Sequence, residues 1–156
     1  MMVLSIFLVV GVDVGFNSNS GQFLIKRFGI DQTAAESGRS LYFFGRMLGT
    51  FAGAILLTRI SSGRFFMWTS VLGIICLTAI VLVKSAALAW VLVFLIGLAV
   101  ANIWPLVFSI VIGRHPDKSN EISGLVMMAI SGGAVIPLLV GWVSDISNIA
   151  LGMTIL

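Results

Sequence analysis

The chain has 156 residues, of which 59% are hydrophobic and 10% charged, and its formal net charge is +3. A soluble globular domain is nearer half apolar and a quarter charged, so this composition, with a mean hydropathy of +1.14, excludes that class. The basic residues are spread along the chain rather than clustered, which excludes a nucleic-acid partner. The composition therefore predicts an integral membrane protein that lies in a lipid bilayer.

Long uncharged runs predict transmembrane helices rather than the strands of a barrel. A helix needs about 20 apolar residues to cross a bilayer, whereas a barrel strand alternates polar and apolar residues over about ten. The predicted helices are, in chain order, 2–26, 39–58, 64–83, 86–112 and 123–143, followed by a short apolar segment at 149–156. The predicted fold class is an all-α, polytopic helical bundle in a multi-pass membrane protein.

The first predicted helix carries four strongly polar residues in an apolar setting, namely Asp13, Asn17, Asn19 and Gln22. An ionisable group at membrane depth costs roughly 3 kcal/mol on insertion scales and usually faces a cavity or a partner. Asn17 lies within about 40° of Asp13 around the helix, whereas Asn19 and Gln22 point elsewhere. One interpretation is a cavity for a small polar solute; the alternative is a set of hydrogen bonds between helices that only stabilise the bundle.

The same helix contains three glycines at which it could bend or unwind, and so aim its polar groups at one cavity: Gly11, Gly15 and Gly21. The second helix has glycines four residues apart, at Gly45, Gly49 and Gly53. This spacing places them along one stripe where another helix can approach closely, either for static packing or for a sliding contact. Arg46 lies about two turns into this helix. The preferred interpretation is that it snorkels to the interface, and the alternative is an ion pair with Asp13.

The fourth predicted helix contains Asn102, Trp104 and Pro105 in the segment "ANIWPLVFS". Pro105 removes a backbone hydrogen bond and is expected to kink the helix. An aromatic ring beside an amide suits a sugar, because the ring covers C–H surface while the amide binds hydroxyl groups. Packing of Trp104 against lipid is the alternative interpretation.

The fifth helix is weakened in its middle by three residues of the segment "SGGAVIP": Gly132, Gly133 and Pro137. Weak points thus occur in three of the five predicted helices, which favours a moving bundle over a static one. The segment 149–156 would span only roughly 12 Å as a helix, against a hydrocarbon core of about 30 Å. It is expected either to lie at the interface or, in the preferred interpretation, to show that the chain is a fragment of a longer protein.

Enzyme chemistry is poorly supported by the sequence. The single histidine, His115, lies in a charged loop without a cluster of ligands at metal-binding spacing. No glycine-rich phosphate loop and no activated nucleophile is evident. We therefore predict no catalytic residue, no metal and no cofactor.

Four segments resemble one known family: "VGVDVG", "GRMLGTFAGAILLTRIS", "IWPLVFSIVIG" and "SGLVMMAISGGAVIPLLVGWVSD". The family is the fucose/glucose–galactose permease branch of the major facilitator superfamily, and the segments resemble its second half. The resemblance implies that residues 1–156 form a C-terminal six-helix half, with helices seven to eleven and the start of the twelfth. It also implies a partner, the missing N-terminal half.

The resemblance further implies a secondary active transporter of the cell membrane that takes up a monosaccharide together with protons through alternating access. Asp13 matches a position that is often acidic or an amide in the family, whereas an alignment without gaps would place Asn17 there. The predicted solute-binding residues are Asp13, Asn17, Asn19, Gln22, Asn102 and Trp104. Two alternatives stay open: a self-contained small transporter that acts as a homodimer, and a membrane subunit that does not transport.

Overall fold

A computed structural model describes residues 2–154 and residue 156, and every regular element in them is helical. The α-helices are α1 (Met2–Phe28), α2 (Gln32–Leu56), α3 (Ser62–Leu82), α4 (Ala86–Val100), α5 (Ile103–Arg114), α6 (Ser119–Ala129), α7 (Gly132–Ile146) and α8 (Ile149–Met153). One turn of 3-10 helix, Pro116–Lys118, connects α5 to α6. The predicted all-α fold class is confirmed.

Four helical stretches of the described chain are long and apolar enough to cross a membrane: Val3–Phe28, Ser62–Leu82, Ala86–Arg114 and Pro116–Ile146. The third combines α4 with α5, and the fourth combines α6 with α7. The helix α2 is not among them because Arg39 and Arg46 make it more polar, although its 25 residues extend roughly 37 Å. The protein is a multi-pass membrane protein.

The polar segment between the first two helices is shorter than predicted, since α1 continues to Phe28 and α2 begins at Gln32. Gly29 makes the turn with a φ of +64°, a conformation that residues with a side chain rarely adopt. Asp31 caps α2 by accepting a hydrogen bond from the Thr33 N–H at 3.1 Å. The end of α1 and the start of α2 are therefore polar helical turns that lie outside the apolar runs from which the helices were predicted.

The central helix α1 contacts α2 and every helix from α4 to α8. It is helical at all its glycines, so the predicted unwinding there is wrong. The absence of a side chain at its first two glycines instead lets α7 and Leu156 pack directly against the α1 backbone. A Cβ on Gly11 would overlap Ile136, and one on Gly15 would lie 2.8 Å from Cδ2 of Leu156. Close helix packing, rather than flexibility, accounts for these residues.

A second close pair is formed by α2 and α4. A Cβ added to any glycine of the α2 stripe would collide with α4 or with the interruption that follows it: Gly45 with the Phe94 carbonyl, Gly49 with the Leu98 carbonyl, and Gly53 with the Asn102 side chain. The α4 helix contributes a glycine to the same contact, since Gly97 packs against the backbone carbonyl of Tyr42 in α2. The two backbones therefore approach each other over about three turns.

The third and fourth spans are each interrupted near their middle. α4 ends at Val100 and α5 begins at Ile103, so the interruption precedes the predicted kink at Pro105. Proline cannot donate to the carbonyl four residues earlier, but it is tolerated in a first helical turn. The other interruption separates α6 from α7 just before Gly132, whereas α7 continues through Pro137.

The residues after the second interruption pack closely against α1. A Cβ on Gly132 would overlap the Phe7 carbonyl, and one on Gly133 would lie 3.1 Å from Val14 Cγ2. Large side chains fill the space where α1, α2, α4 and α7 meet: Phe16, Phe23, Tyr42, Ile96 and Val140. The bundle thus contains two glycine-mediated helix pairs, α1 with α7 and α2 with α4.

The glycine contact between α2 and α4 makes a testable difference to stability. We expect Gly45→Ala to lower the free energy of unfolding by about 1–3 kcal/mol, because the added methyl group would strain the contact with Phe94. Gly141→Ala is the matched control, since a Cβ there meets no described atom within 4 Å. It should be neutral or stabilise by up to about 1 kcal/mol. Thermal unfolding of both variants in detergent measures the difference, and equal midpoints would contradict the packing role.

Candidate functional site

A buried carboxylate lies close to the middle of α1. Asp13 is 6% exposed, and its two oxygens accept hydrogen bonds from Tyr42 Oη and, at 2.5 Å, from Arg46 Nη1. Both donors belong to α2, one helical turn apart, so they point to the same place. We call these three residues the Asp13 cluster. The guanidinium neutralises the carboxylate in surroundings where a lone charge would be costly.

The position of Arg46 corrects a prediction. The preferred interpretation, snorkelling to the membrane interface, is wrong, and the alternative ion pair with Asp13 is what the structure contains. Arg46 lies ten residues before the end of α2 at Leu56. That distance is roughly 15 Å along the axis, too far for the side chain to reach the nearer end. Its side chain is 29% exposed, against 8% for Asp13, so the cluster is open on the arginine side.

Tyr42 is a site residue that the sequence analysis missed. It is the only tyrosine in the chain and lies one turn before Arg46 in a largely apolar segment, which is the signal that could have identified it. The side chain is fully buried, and its ring packs against Phe16 with the centroids 5.7 Å apart. This packing fixes the hydroxyl group beside the carboxylate.

Asn17 lies one turn after Asp13 on the same face of α1. Its backbone carbonyl accepts a hydrogen bond from Ser20 Oγ at 3.1 Å. The side-chain oxygen, Oδ1, is buried and has no hydrogen-bond donor among the described residues. A buried acceptor without a donor costs about 1–3 kcal/mol. A donor from water, from a solute or from another part of the protein would remove that cost.

Two further predicted residues donate to backbone carbonyls. Asn19 Nδ2 donates to the carbonyl of Gly15 in its own helix at 2.9 Å. Asn102 Nδ2 donates to the carbonyl of Gly49 at 2.7 Å, and so connects the interruption between α4 and α5 to α2. The Asn102 bond lies one turn along α2 from Arg46. Its geometry matches the interhelical hydrogen bond considered as an alternative, beside which a role in solute binding stays a prediction.

The last two predicted residues lie apart from the Asp13 cluster. Gln22 is exposed and lines an open cavity of about 450 Å³ between the end of α1 and the start of α2. The polar residues around this cavity are Ser18, Gln22, Gln32, Glu36 and Arg39. Trp104 is partly buried against Phe108, with ring centroids 6.0 Å apart, in an apolar cluster with α1 and α6. The six predicted residues therefore do not form one compact site.

The chain is similar in sequence to part of several curated sugar transporters. No protein-family model matches it. It is 29% identical over 150 residues to the glucose/galactose transporter of Brucella abortus, an alignment that covers 95% of the chain and 36% of that protein. It is 26% identical over 152 residues to the glucose/mannose transporter GlcP of Bacillus subtilis, covering 96% of the chain and 37% of that protein.

The chain spans about a third of the length of the curated relatives it matches. The predicted resemblance to sugar permeases of the major facilitator type, in their C-terminal half, is confirmed. Both relatives bear the names of transporters rather than enzymes, in agreement with the prediction that the chain is not an enzyme.

The ion pair is tested by a double-mutant cycle. We expect Arg46→Gln to lower the free energy of unfolding by about 3 kcal/mol, because it leaves the carboxylate of Asp13 buried without its counter-charge. Asp13→Asn should cost less, since Arg46 is more exposed. The double variant should lose clearly less than the sum of the two.

Thermal unfolding of the purified protein in detergent measures the cycle. Arg59→Gln is the control, because that arginine lies exposed in the turn after α2. Strictly additive losses would show that the two charges do not stabilise each other.

Proposed function

We propose that the chain forms the C-terminal half of a secondary active transporter of the cell membrane that takes up a monosaccharide such as glucose or galactose. Transport would couple the sugar to proton entry and proceed by alternating access. The names of the relatives, a glucose/galactose and a glucose/mannose transporter, support the substrate class. Because the chain spans about a third of their length, this transport is a property of the whole protein.

The unpartnered Oδ1 of Asn17, one turn from the Asp13 cluster, carries the proposal. A sugar offers several hydroxyl groups, each able to donate one hydrogen bond and to accept others. One hydroxyl would donate to Asn17, and another would accept from Arg46, whose guanidinium Nη1 donates to Asp13 in the structure. This pairing of an acceptor and a charged donor at mid-membrane suits a polar, uncharged solute.

The predicted contributions of the other residues follow from their places in the bundle. Gln22 would meet the solute at the open cavity between α1 and α2. Asn102 would act at the interruption that it connects to α2. Asn19 and Trp104 lie in other surroundings, and contact between these side chains and a sugar requires a different arrangement of the helices.

Alternating access is supported by where the helices are interrupted. The breaks after Val100 and after Ala129 lie near the middle of the third and fourth spans. Interrupted helices at the membrane midplane are common in secondary transporters, because non-helical backbone is tolerated where it lines a cavity. The glycine contacts of α1 with α7 and of α2 with α4 would let each pair move as a unit.

Uptake of radiolabelled glucose and galactose into proteoliposomes that contain the complete protein tests the proposal. We expect uptake driven by an inward proton gradient, and a KM for Asn17→Ala about tenfold higher, since one hydrogen bond to the sugar is worth about 1.4 kcal/mol. Asn120→Ala, an exposed residue at the start of α6, is the matched control.

Two outcomes would count against the proposal in different ways. Absence of uptake for every hexose tested would refute the transport function. Normal uptake with an unchanged KM in Asn17→Ala would refute only the role of Asn17.

A further inference from the structure

The end of α1 and the start of α2 enclose an open cavity of about 450 Å³, which we call the outer cavity. The described residues that line it include neither Asn17 nor any member of the Asp13 cluster. Its polar lining comes from both helices: Ser18, Gln22, Gln32, Glu36 and Arg39. The outer cavity is therefore a polar feature separate from the mid-membrane site.

The polar side chains of the outer cavity are all exposed, and they make no hydrogen bond or ion pair within the described part of the chain. Glu36 and Arg39 lie one turn apart on α2, a spacing at which opposite charges can pair. The carboxylate and the guanidinium nevertheless lie more than 4.0 Å from each other. Each polar group is thus available to water or to a dissolved molecule.

Small residues leave room for the outer cavity where α1 contacts α2. A Cβ on Gly21 would lie 3.6 Å from the carbonyl oxygen of Ala35, which is an ordinary van der Waals distance. Both residues line the cavity, so alanine would fit at position 21, whereas a longer side chain would extend into the open space.

The lining favours a neutral solute with several hydroxyl groups. Glu36 would repel an anion and Arg39 would repel a cation, and the two charges cancel. An acyl chain needs apolar surface, but Ile25 is the one large apolar side chain in the described lining. Hydroxyl groups match the amides, the carboxylate and the guanidinium, because each hydroxyl both donates and accepts. The volume is within the range of roughly 300–1,000 Å³ that is typical of small-molecule sites.

The outer cavity lies between one end of the bundle and the Asp13 cluster. Gln32, Arg39 and Arg46 are seven residues apart on α2, so they follow one face to within about 20° per step, each roughly 10 Å deeper than the last. On α1, Ser18 is the lining residue farthest from the helix end, and it lies roughly 7.5 Å along the axis from Asp13. A solute that moves inward from the cavity along α2 therefore meets Arg46 next.

We propose that the outer cavity is a second binding site for a neutral sugar, which a hexose occupies before it reaches the Asp13 cluster. The inference rests on the transport function proposed above, because it assigns the same solute to a further site. Arg39 donates to hydroxyl oxygens of the sugar, and Glu36 accepts from its hydroxyl groups. Since these side chains are exposed to water, the outer site binds the sugar more weakly than a buried site of the same polar groups would.

Thiol labelling of Ser18→Cys tests the proposal on the complete protein in nanodiscs. Cys76 is replaced by alanine, and the labelling of that parent protein is subtracted. A charged methanethiosulfonate should modify Ser18→Cys rapidly, and galactose at about ten times its dissociation constant should slow the reaction about tenfold. Leu8→Cys is the matched control. It is an exposed position in an apolar part of the same helix, and it should react slowly with or without galactose.

Variants of the lining test its shape and its charge in the Ser18→Cys protein. Gly21→Leu should slow labelling without any sugar, because its side chain occupies the cavity, whereas Gly21→Ala should not. Arg39→Gln should weaken protection by galactose and should raise the labelling rate of a cationic reagent relative to an anionic one, since Glu36 is left unbalanced. Glu36→Gln should shift that ratio in the opposite direction. Equal protection by zwitterionic glycine would overturn the assignment to a neutral sugar.

Asn17→Ala separates the outer site from the central one. Protection of Ser18→Cys by galactose should persist in this variant. Protection that disappears with Asn17 would arise at the central site and would overturn the proposal, as would labelling that galactose never slows. Gln22→Cys serves as the second reporter if Ser18→Cys does not fold.

The same protein is assayed for hexose uptake, so that the two proposals fail separately. Protection that persists in Asn17→Ala without uptake of any hexose would refute the transport function and leave the outer site standing. Normal uptake without protection would refute the outer site alone.

Discussion

The bundle depends on one polar contact between α1 and α2, in which Tyr42 and Arg46 each donate a hydrogen bond to the carboxylate of Asp13. In a bilayer no water is available to satisfy a buried charge, so the carboxylate must find its partners within the protein. Two donors one turn apart on α2 can reach a single carboxylate only when the facing sides of both helices are correctly rotated. The contact thereby fixes how α1 faces α2, and it connects the two glycine-mediated pairs, α1 with α7 and α2 with α4.

Glycine packing holds the donors of this contact in place. A Cβ on Gly97 of α4 would overlap the Tyr42 carbonyl and would lie 3.2 Å from the backbone nitrogen of Arg46. The turn of α2 that carries both donors is therefore pressed against α4 on its other side. Dispersion and close backbone approach, rather than a hydrophobic driving force, hold helices together in lipid. The turn of α2 from Tyr42 to Arg46 therefore takes part both in the polar contact with Asp13 and in the glycine packing with α4.

Hydropathy predicted most of the spans because the bilayer imposes length and apolarity on them, and helical periodicity placed Asn17 on the face of Asp13. Other features depend on tertiary contacts that periodicity does not encode. Composition did not distinguish an Arg46 that snorkels from one that is paired. The role of Tyr42 became evident only from its contact with Asp13 on α1. The number of glycines in α1 is typical of a flexible helix. The helix is nevertheless continuous, and α7 packs closely against it at Gly11. The breaks occur upstream of Pro105 and Pro137, where no proline is present.

Stability alone does not explain a charged pair in the middle of this bundle. An apolar pair of similar volume holds two helices together at least as well, since removing two charges from water costs more than good geometry usually returns. Apolar contacts already hold α1 against α2 at this place, because Phe16 packs against the Tyr42 ring within the same core. What an apolar pair cannot do is exchange its hydrogen bonds for bonds to a second set of partners. The partial exposure of Arg46 and the unpartnered oxygen of Asn17 supply the second set of partners. A pair that can exchange its partners is useful in a protein that must release what it binds, which is the physical requirement of transport.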